Sequence, residues 1–304
     1  MGEITVMAKN DFKPFATGSG ANVMSQTDWE ALPALLAGFQ SGKASSAQMN
    51  KAFRQSSFIA AALAQFIADT NGTDVLDNGN FSDIVLKLKS AISTASTGRL
   101  LNVRTFTSSG TYTPTAGTKF VVVEVQGGGG GSGGVPATGA SSVAASGAGG
   151  AGAYAKAYIT SGFSGVSVTV GAAGAAGTSG GGDGGTGGTS SFGSLVVCPG
   201  GNGGLSTGTV AVSFPTSRGG SSETAAPTGG NIISSKGKGG AGSTVVNGTV
   251  GNLGTGAASP FSAGGTGGDG ENGSGAGGWI NNVSQPARAG YAGGKGLVVV
   301  WEYA

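Results

Sequence analysis

The sequence predicts an α-helical N-terminal domain followed by a mainly-β, glycine-rich domain with packed polyglycine-II helices. Two observations carry this. Residues 1–104 hold 8 of the 65 glycines and 17 charges, whereas residues 105–304 hold the other 57 glycines and 13 charges. So abrupt a shift marks a boundary near 98–104, separating a domain at 1–104 from one at 105–304. In the second part glycine recurs at every third residue: Gly171, Gly174, Gly177 and Gly180; Gly181, Gly184 and Gly187; Gly264, Gly267, Gly270 and Gly273; Gly290, Gly293 and Gly296.

Three helices account for the first part. Ser25, Thr27 and Asp28 offer capping oxygens ahead of Trp29, Leu32, Leu35 and Leu36. Pro33 kinks or shortens this helix, and Gly38 stops it. Ser45 and Gln48 form a capping box for a longer run, in which Met49, Phe53, Ala60, Leu63 and Ile67 recur at helical spacing until Asn71-Gly72. Ser82 caps a third helix through Ile84, Val85, Leu88 and Ile92, with Lys87 and Lys89 in its last turns. These apolar residues are expected to form core or an oligomer interface.

Extended segments bracket the second part. Residues 104–112 and 119–126 are rich in Thr, Val and aromatics and flank a turn at 113–117. Residues 296–303 form a terminal strand expected to pair with the first, and 154–160, 166–170 and 194–198 read as short internal strands. A three-residue period fits polyproline-II geometry, in which every third position points one way and glycine lets two backbones approach. Collagen would need an unbroken repeat with abundant proline, and a flexible linker would lack the apolar blocks.

Composition excludes several functions. Histidine is absent, which removes the commonest general base and metal ligand. The single Cys198 precludes an internal disulfide and a cysteine zinc site. A net charge of +2 without a basic cluster argues against nucleic acid. Gly38 to Ala44, containing Gly42-Lys43, has the wrong spacing for a phosphate loop, and Gly204-Leu-Ser206-Thr-Gly208 imitates a nucleophile elbow without a base. Asp269 and Glu271 stand two apart in a glycine run and read as a solvated loop. With Asp183 and Asn272 they loosely resemble a calcium repeat but supply too few ligands. No enzyme activity, cofactor or metal is expected. No targeting segment or membrane span is read, so a product made soluble in the cytoplasm is expected.

Glycine islands at 127–134, 147–152, 171–188, 200–204, 237–242, 264–278 and 290–296 alternate with connectors at 135–146, 205–236, 243–263 and 279–289. Displayed connectors on a stiff scaffold suit recognition. The candidate contacts are Phe214, Ile232, Ile233, Phe261 and Trp279, with the amides Asn281 and Asn282 beside the last. Trp279 follows a glycine run that offers it nothing to pack on. It is expected at a loop tip, with Trp279→Ala weakening binding by ~2 kcal/mol and sparing the fold. Gly267→Val is expected to force two backbones apart.

Residues 7–90 resemble the N-terminal region of tail-fibre proteins of enterobacterial phages and prophages. The blocks that carry this are Met7-Ala-Lys-Asn-Asp-Phe-Lys-Pro-Phe-Ala-Thr-Gly18, Phe53-Arg-Gln-Ser56, Leu63-Ala-Gln-Phe-Ile-Ala-Asp69 and Asp74-Val-Leu-Asp77. Residues 105–304 resemble the glycine-rich domain of phage tail proteins, through Ser109-Gly-Thr-Tyr-Thr113 and the terminal Trp301-Glu-Tyr303. The alternation of islands and loops is similar in architecture to the tip adhesins of T-even-type phages. The resemblance implies a homotrimeric virion protein. Its helices would join baseplate or fibre proteins, and its C-terminal loops would meet a host outer-membrane protein or surface glycan. A purely structural fibre component is the alternative.

Overall fold

The computed structural model describes residues 7–39 and 44–304. The phosphate-loop look-alike at Gly42-Lys43 lies outside the described residues. Among the described residues, four helices are followed by fifteen strands: α1 (Gln26–Glu30), α2 (Ala34–Ala37), α3 (Ser46–Asn71), α4 (Phe81–Ala95), β1 (Leu100–Phe106), β2 (Gly110–Thr111), β3 (Phe120–Gln126), β4 (Ser142–Ala145), β5 (Tyr154–Ile159), β6 (Ser167–Thr169), β7 (Ser190–Phe192), β8 (Val196–Cys198), β9 (Val210–Ala211), β10 (Thr216–Arg218), β11 (Ile233–Ser235), β12 (Ser243–Val245), β13 (Gly251–Asn252), β14 (Ile280–Asn281) and β15 (Leu297–Tyr303). The chain divides into two compact units, Met1–Gly98 and Arg99–Ala304. The second unit therefore starts before residue 105, because residues 100–104 already pair with the last strand.

In the helical unit, Pro33 splits the first helical stretch into α1 and α2. α3 begins at the capping box: Ser45 Oγ accepts from Gln48 N–H at 3.3 Å, and Ser45 N–H donates to Gln48 Oε1 at 2.9 Å. It ends at Gly72, whose φ of +65° places it in the left-handed region that glycine enters without a Cβ penalty. The third long helix starts earlier than the sequence suggests. Asn80, not Ser82, accepts from Asp83 N–H at 3.1 Å. The helix then runs on to Ala95, so Lys87 sits mid-helix, paired with Asp83 at 2.8 Å, and no basic residue occupies the last turn. The core is small: Ala64, Ile67, Ala68, Val75 and Ala91, with Ala8, Phe12, Ile84 and Leu88 against them. Phe53 and Leu63, read as the same face as Ile67, are exposed.

In the glycine-rich unit, a five-stranded antiparallel sheet has the order β1-β15-β3-β5-β11, and a four-stranded sheet has the order β2-β6-β7-β8. The expected first strand at 104–112 is broken: β1 starts at Leu100, and β2 departs to the smaller sheet. The core lies between the sheets. Val121, Val123, Val125, Ala155, Ala157, Val298 and Val300 meet Tyr112, Val168, Phe192, Val196 and Cys198. Burying each such valine is worth roughly 1.5–3 kcal/mol.

Beyond β3 the backbone enters a lattice with a three-residue period. Gly127, Gly130 and Gly133 donate to the carbonyls of Ala153, Gly150 and Gly147 at 2.9, 2.8 and 3.3 Å. Gly128, Gly131 and Gly134 donate to Gly188, Gly185 and Gly182, each at 2.9 Å. Gly129, Ser132 and Val135 donate to Gly294, Tyr291 and Arg288 at 2.7, 2.9 and 2.8 Å. The same segment accepts from three more neighbours: Gly174 to Gly129, Gly201 to Gly128, and Ala276 to Gly130. Residues 127–135 are wholly buried, with six segments around them.

Glycine makes this approach feasible. A Cβ on Gly129 would stand 1.8 Å from Ser274 O, and one on Gly131 2.0 Å from Ala175 O. The period breaks where the chain reverses. Gly180 has open space around it, and Gly181 and Gly182 both donate to Thr178 O in a turn. Gly267 also departs from expectation: its neighbour is the Leu253 side chain at 3.2 Å, and its constraint is a φ of +58°.

Candidate recognition loops

Successive segments cross the lattice in alternating directions, so its connections gather at two opposite ends. One end carries the strands, because β3 leads into residue 127, residue 153 into β5, β11 into residue 237 and residue 296 into β15. The chain also comes into this unit there, through β1 paired with β15. The other end carries residues 136–146, 205–218, 243–253 and 279–287, with the turn at 178–181.

This two-ended arrangement splits the connectors read from sequence. Residues 219–224 run back along the lattice, where Ser221 N–H donates to Ala148 O at 3.2 Å and Thr224 N–H to Gly237 O at 3.0 Å. Ile232 and Ile233 therefore lie at the strand end, exposed at the edge of the five-stranded sheet, with Ile233 in register with Lys156. Residues 254–257 likewise return, and Phe261 packs edge-on against Tyr154 of β5 at a centroid distance of 5.9 Å. Of the seven candidates, Phe214, Trp279, Asn281 and Asn282 share the loop end; Ile232, Ile233 and Phe261 do not join them.

The loop end has its own small core. Two three-stranded sheets, β10-β12-β13 and β14-β4-β9, enclose Val143, Ala145 and Val245, with Val210, Ile280 and Val283 against them. Phe214 is exposed here, as are Val212, Val246 and Val250. The three valines were missed by sequence reasoning. Val212 follows Val210-Ala211, Val246 follows the inward-facing Val245, and Val250 stands between Thr249 and Gly251, so nothing local separates them from inward-facing strand residues.

Trp279 is not a free tip residue. It is half-buried, stacked on Tyr291 at 5.3 Å and 22°, with the Arg288 guanidinium 4.9 Å from its ring centroid. Its backbone is held twice by Ser146: Trp279 N–H donates to Ser146 Oγ at 2.9 Å, and Ser146 N–H donates to Trp279 O at 2.8 Å. Asn281 is 1% exposed, and its amide donates to the carbonyls of Pro136 and Pro286, both at 2.8 Å. A residue so enclosed closes its own loop and does not reach outward. The Asn282 amide oxygen and Arg218 Nε are buried without a protein partner.

Two carboxylates of this unit, Asp183 and Asp269, fasten neighbouring segments. Asp183 accepts from Ser206 N–H at 2.7 Å, and Asp269 from Ala292 N–H at 2.8 Å. Ser206 Oγ accepts from Gly208 N–H at 3.1 Å. Among the described residues no three Cys, Asp or Glu side chains converge as metal ligands. What the loop end presents is apolar surface with hydroxyls and amides, on a backbone fixed by the lattice.

The glycine-rich domain family matches residues 105–303, more than half of the chain, and the protein belongs to that family. No curated protein matches the chain.

Proposed function

We propose that this is a non-enzymatic adhesin of a phage tail fibre or tail tip, attaching the virion to a bacterial surface receptor through the loop end of its glycine-rich unit. One observation carries the reading: a buried, six-neighbour backbone lattice holds four connectors at the end opposite to where the chain comes in. The three-residue hydrogen-bond rotation supports reading the lattice as packed polyglycine-II helices. Such a lattice has no role for side chains inside it, so its value lies in what it holds at its ends. Loops ordered beforehand lose less entropy on binding. Phe214, Val212, Val246 and Val250 are the contacts, and a host outer-membrane protein or surface glycan is the receptor. The helical unit joins baseplate or fibre proteins and further copies of the chain.

The test is adsorption. Purified chain is expected to coat enterobacterial host cells and to block the parent phage, and Phe214→Ser with Val250→Ser is expected to abolish both effects. Undiminished binding by that variant rejects the assignment to this end. The alternative, a structural component without receptor contact, draws on the inward turn of Asn281 and the stacking of Trp279. It is distinguished by the absence of any cell binding.

A further inference from the structure

A cavity of about 310 Å³ opens on the flank of the lattice near the strand end, and none of residues 136–146, 205–218, 243–253 or 279–287 of the loop end lines it. Its origin lies in the hydrogen-bond rotation. Ala241 N–H donates to Thr255 O at 2.8 Å, and the same step three residues earlier would join Lys238 N–H to Ala258 O. Among the described residues that bond does not form, because the chain turns outward through the Ser259–Ser262 bridge. The lattice is parted at this point.

The lining is specific in character. Lys236 and Lys238 border the cavity, and among the described residues neither is in an ion pair. No Asp or Glu lines it. Tyr154, about nine-tenths buried, lines the cavity together with Ala258 and Pro260. The Tyr154 hydroxyl donates to Glu124 Oε2 at 3.2 Å, and Glu124 is matched by Lys156 at 2.9 Å, so this carboxylate adds no free negative charge nearby. Burial, then the neighbouring Glu124, pushes the Tyr154 phenol up to about 12, which keeps the wall neutral.

We infer that this cavity binds an acidic monosaccharide unit: a sugar ring carrying a carboxylate or a phosphate. Two unpaired ammonium groups favour an anion. The apolar wall and a volume at the lower end of the usual ligand range suit one ring in addition to the anionic group, whereas inorganic phosphate alone would leave most of the space filled with water. The site stands apart from the loop end, and neither assignment depends on the other.

The experiment is ligand-observed NMR with calorimetry on the full chain, using glucuronate, glucose 6-phosphate, glucose and inorganic phosphate. Glucuronate or glucose 6-phosphate is expected to bind, with affinity falling as salt rises, and the tighter of the two identifies the anionic group. Glucose is expected to bind at least about tenfold more weakly, as is either acidic sugar to the Lys236→Ala/Lys238→Ala variant. Phe214→Ser should leave this binding unchanged, which separates the result from the cell-adhesion test. Equal binding of glucose, equal binding of phosphate alone, full binding by the double variant, or no binding of either acidic sugar would each overturn the proposal.

Discussion

At the scale of single residues, glycine positions in the same apparent series have different physical meanings. Gly129 faces a backbone carbonyl that a Cβ would approach to 1.8 Å, and a carbonyl fixed by its own hydrogen bonds cannot step aside. Gly129→Ala is therefore expected to lower stability by at least about 3 kcal/mol, the upper range for overpacking a rigid core. Gly180→Ala, with nothing within 4 Å of the added carbon, should melt with the parent. Gly267→Ala falls between, at ~1–2 kcal/mol, because its cost is a left-handed backbone and not a clash. Thermal melts of the three variants check this order. Glu302 supplies a pH-dependent contribution. It is wholly buried, accepting from Tyr112 Oη at 2.9 Å and Thr115 N–H at 3.2 Å, and paired with Arg104 at 3.0 Å. Burial alone would raise its carboxyl, but the hydrogen bonds from Thr115 and Tyr112 and the Arg104 charge outweigh that and hold it below the ordinary 4.5. A depressed folded-state value means stability that is present above the ordinary value and lost as pH falls through the lowered one. Urea midpoints should therefore drop on acidification below 4.5, and Glu302→Gln should flatten that part of the profile.

At the scale of elements, local signals were legible and lattice partners were not. The Ser45–Gln48 capping box, the Gly72 stop and the terminal valine strand each depend on residues within one turn or one strand, so the sequence carries them directly. Asn80 was overlooked as a cap because Ser82 is chemically as good, and only the backbone bend at Asn80 decides between them. The glycine period announces a three-residue lattice, yet many glycine segments are interchangeable in sequence. That residues 127–135 lie at its centre follows from which neighbours close around them. The connectors suffer most from this ambiguity. Whether Phe261 or Phe214 reaches the loop end depends on how often the chain has crossed the lattice, and a run of glycines does not count crossings. The Trp279 loop illustrates the consequence. With Arg288 and Tyr291 stacked against its ring, Trp279→Ala is expected to lower the melting temperature, at a cost of ~1–2 kcal/mol from lost aromatic and cation–π contacts, and to alter cell binding less than Phe214→Ser does. Parallel melts and adsorption assays on the two variants decide this.

At the scale of the whole molecule, the two units differ in how completely each buries its own apolar surface. The glycine-rich unit closes two sheets over a continuous core and satisfies its glycine backbone internally. Among the described residues, the helical unit buries the apolar Ala61, Ala64, Ile67, Ala68, Val75 and Ala91, four of them alanines, while Leu36 is 97% exposed, Ile59 69% and Phe81 77%. On α3, the exposed Ile59, Leu63 and Phe66 follow each other at spacings of four and three, which is the seam pattern of helices that pack along their length. A second copy of the chain would supply the matching stripe, and closed symmetric assemblies are the usual outcome for such a surface. The full chain is thus expected to elute and scatter light as an oligomer at micromolar concentration. Ile59→Glu with Leu63→Glu should raise its dissociation constant by at least about 100-fold, since like charges would face each other across a desolvated seam. Neither residue belongs to the buried core, so helical circular dichroism should be unchanged. A parent chain that is monomeric at that concentration, or a double variant that assembles as the parent does, would show that the stripe meets a different protein.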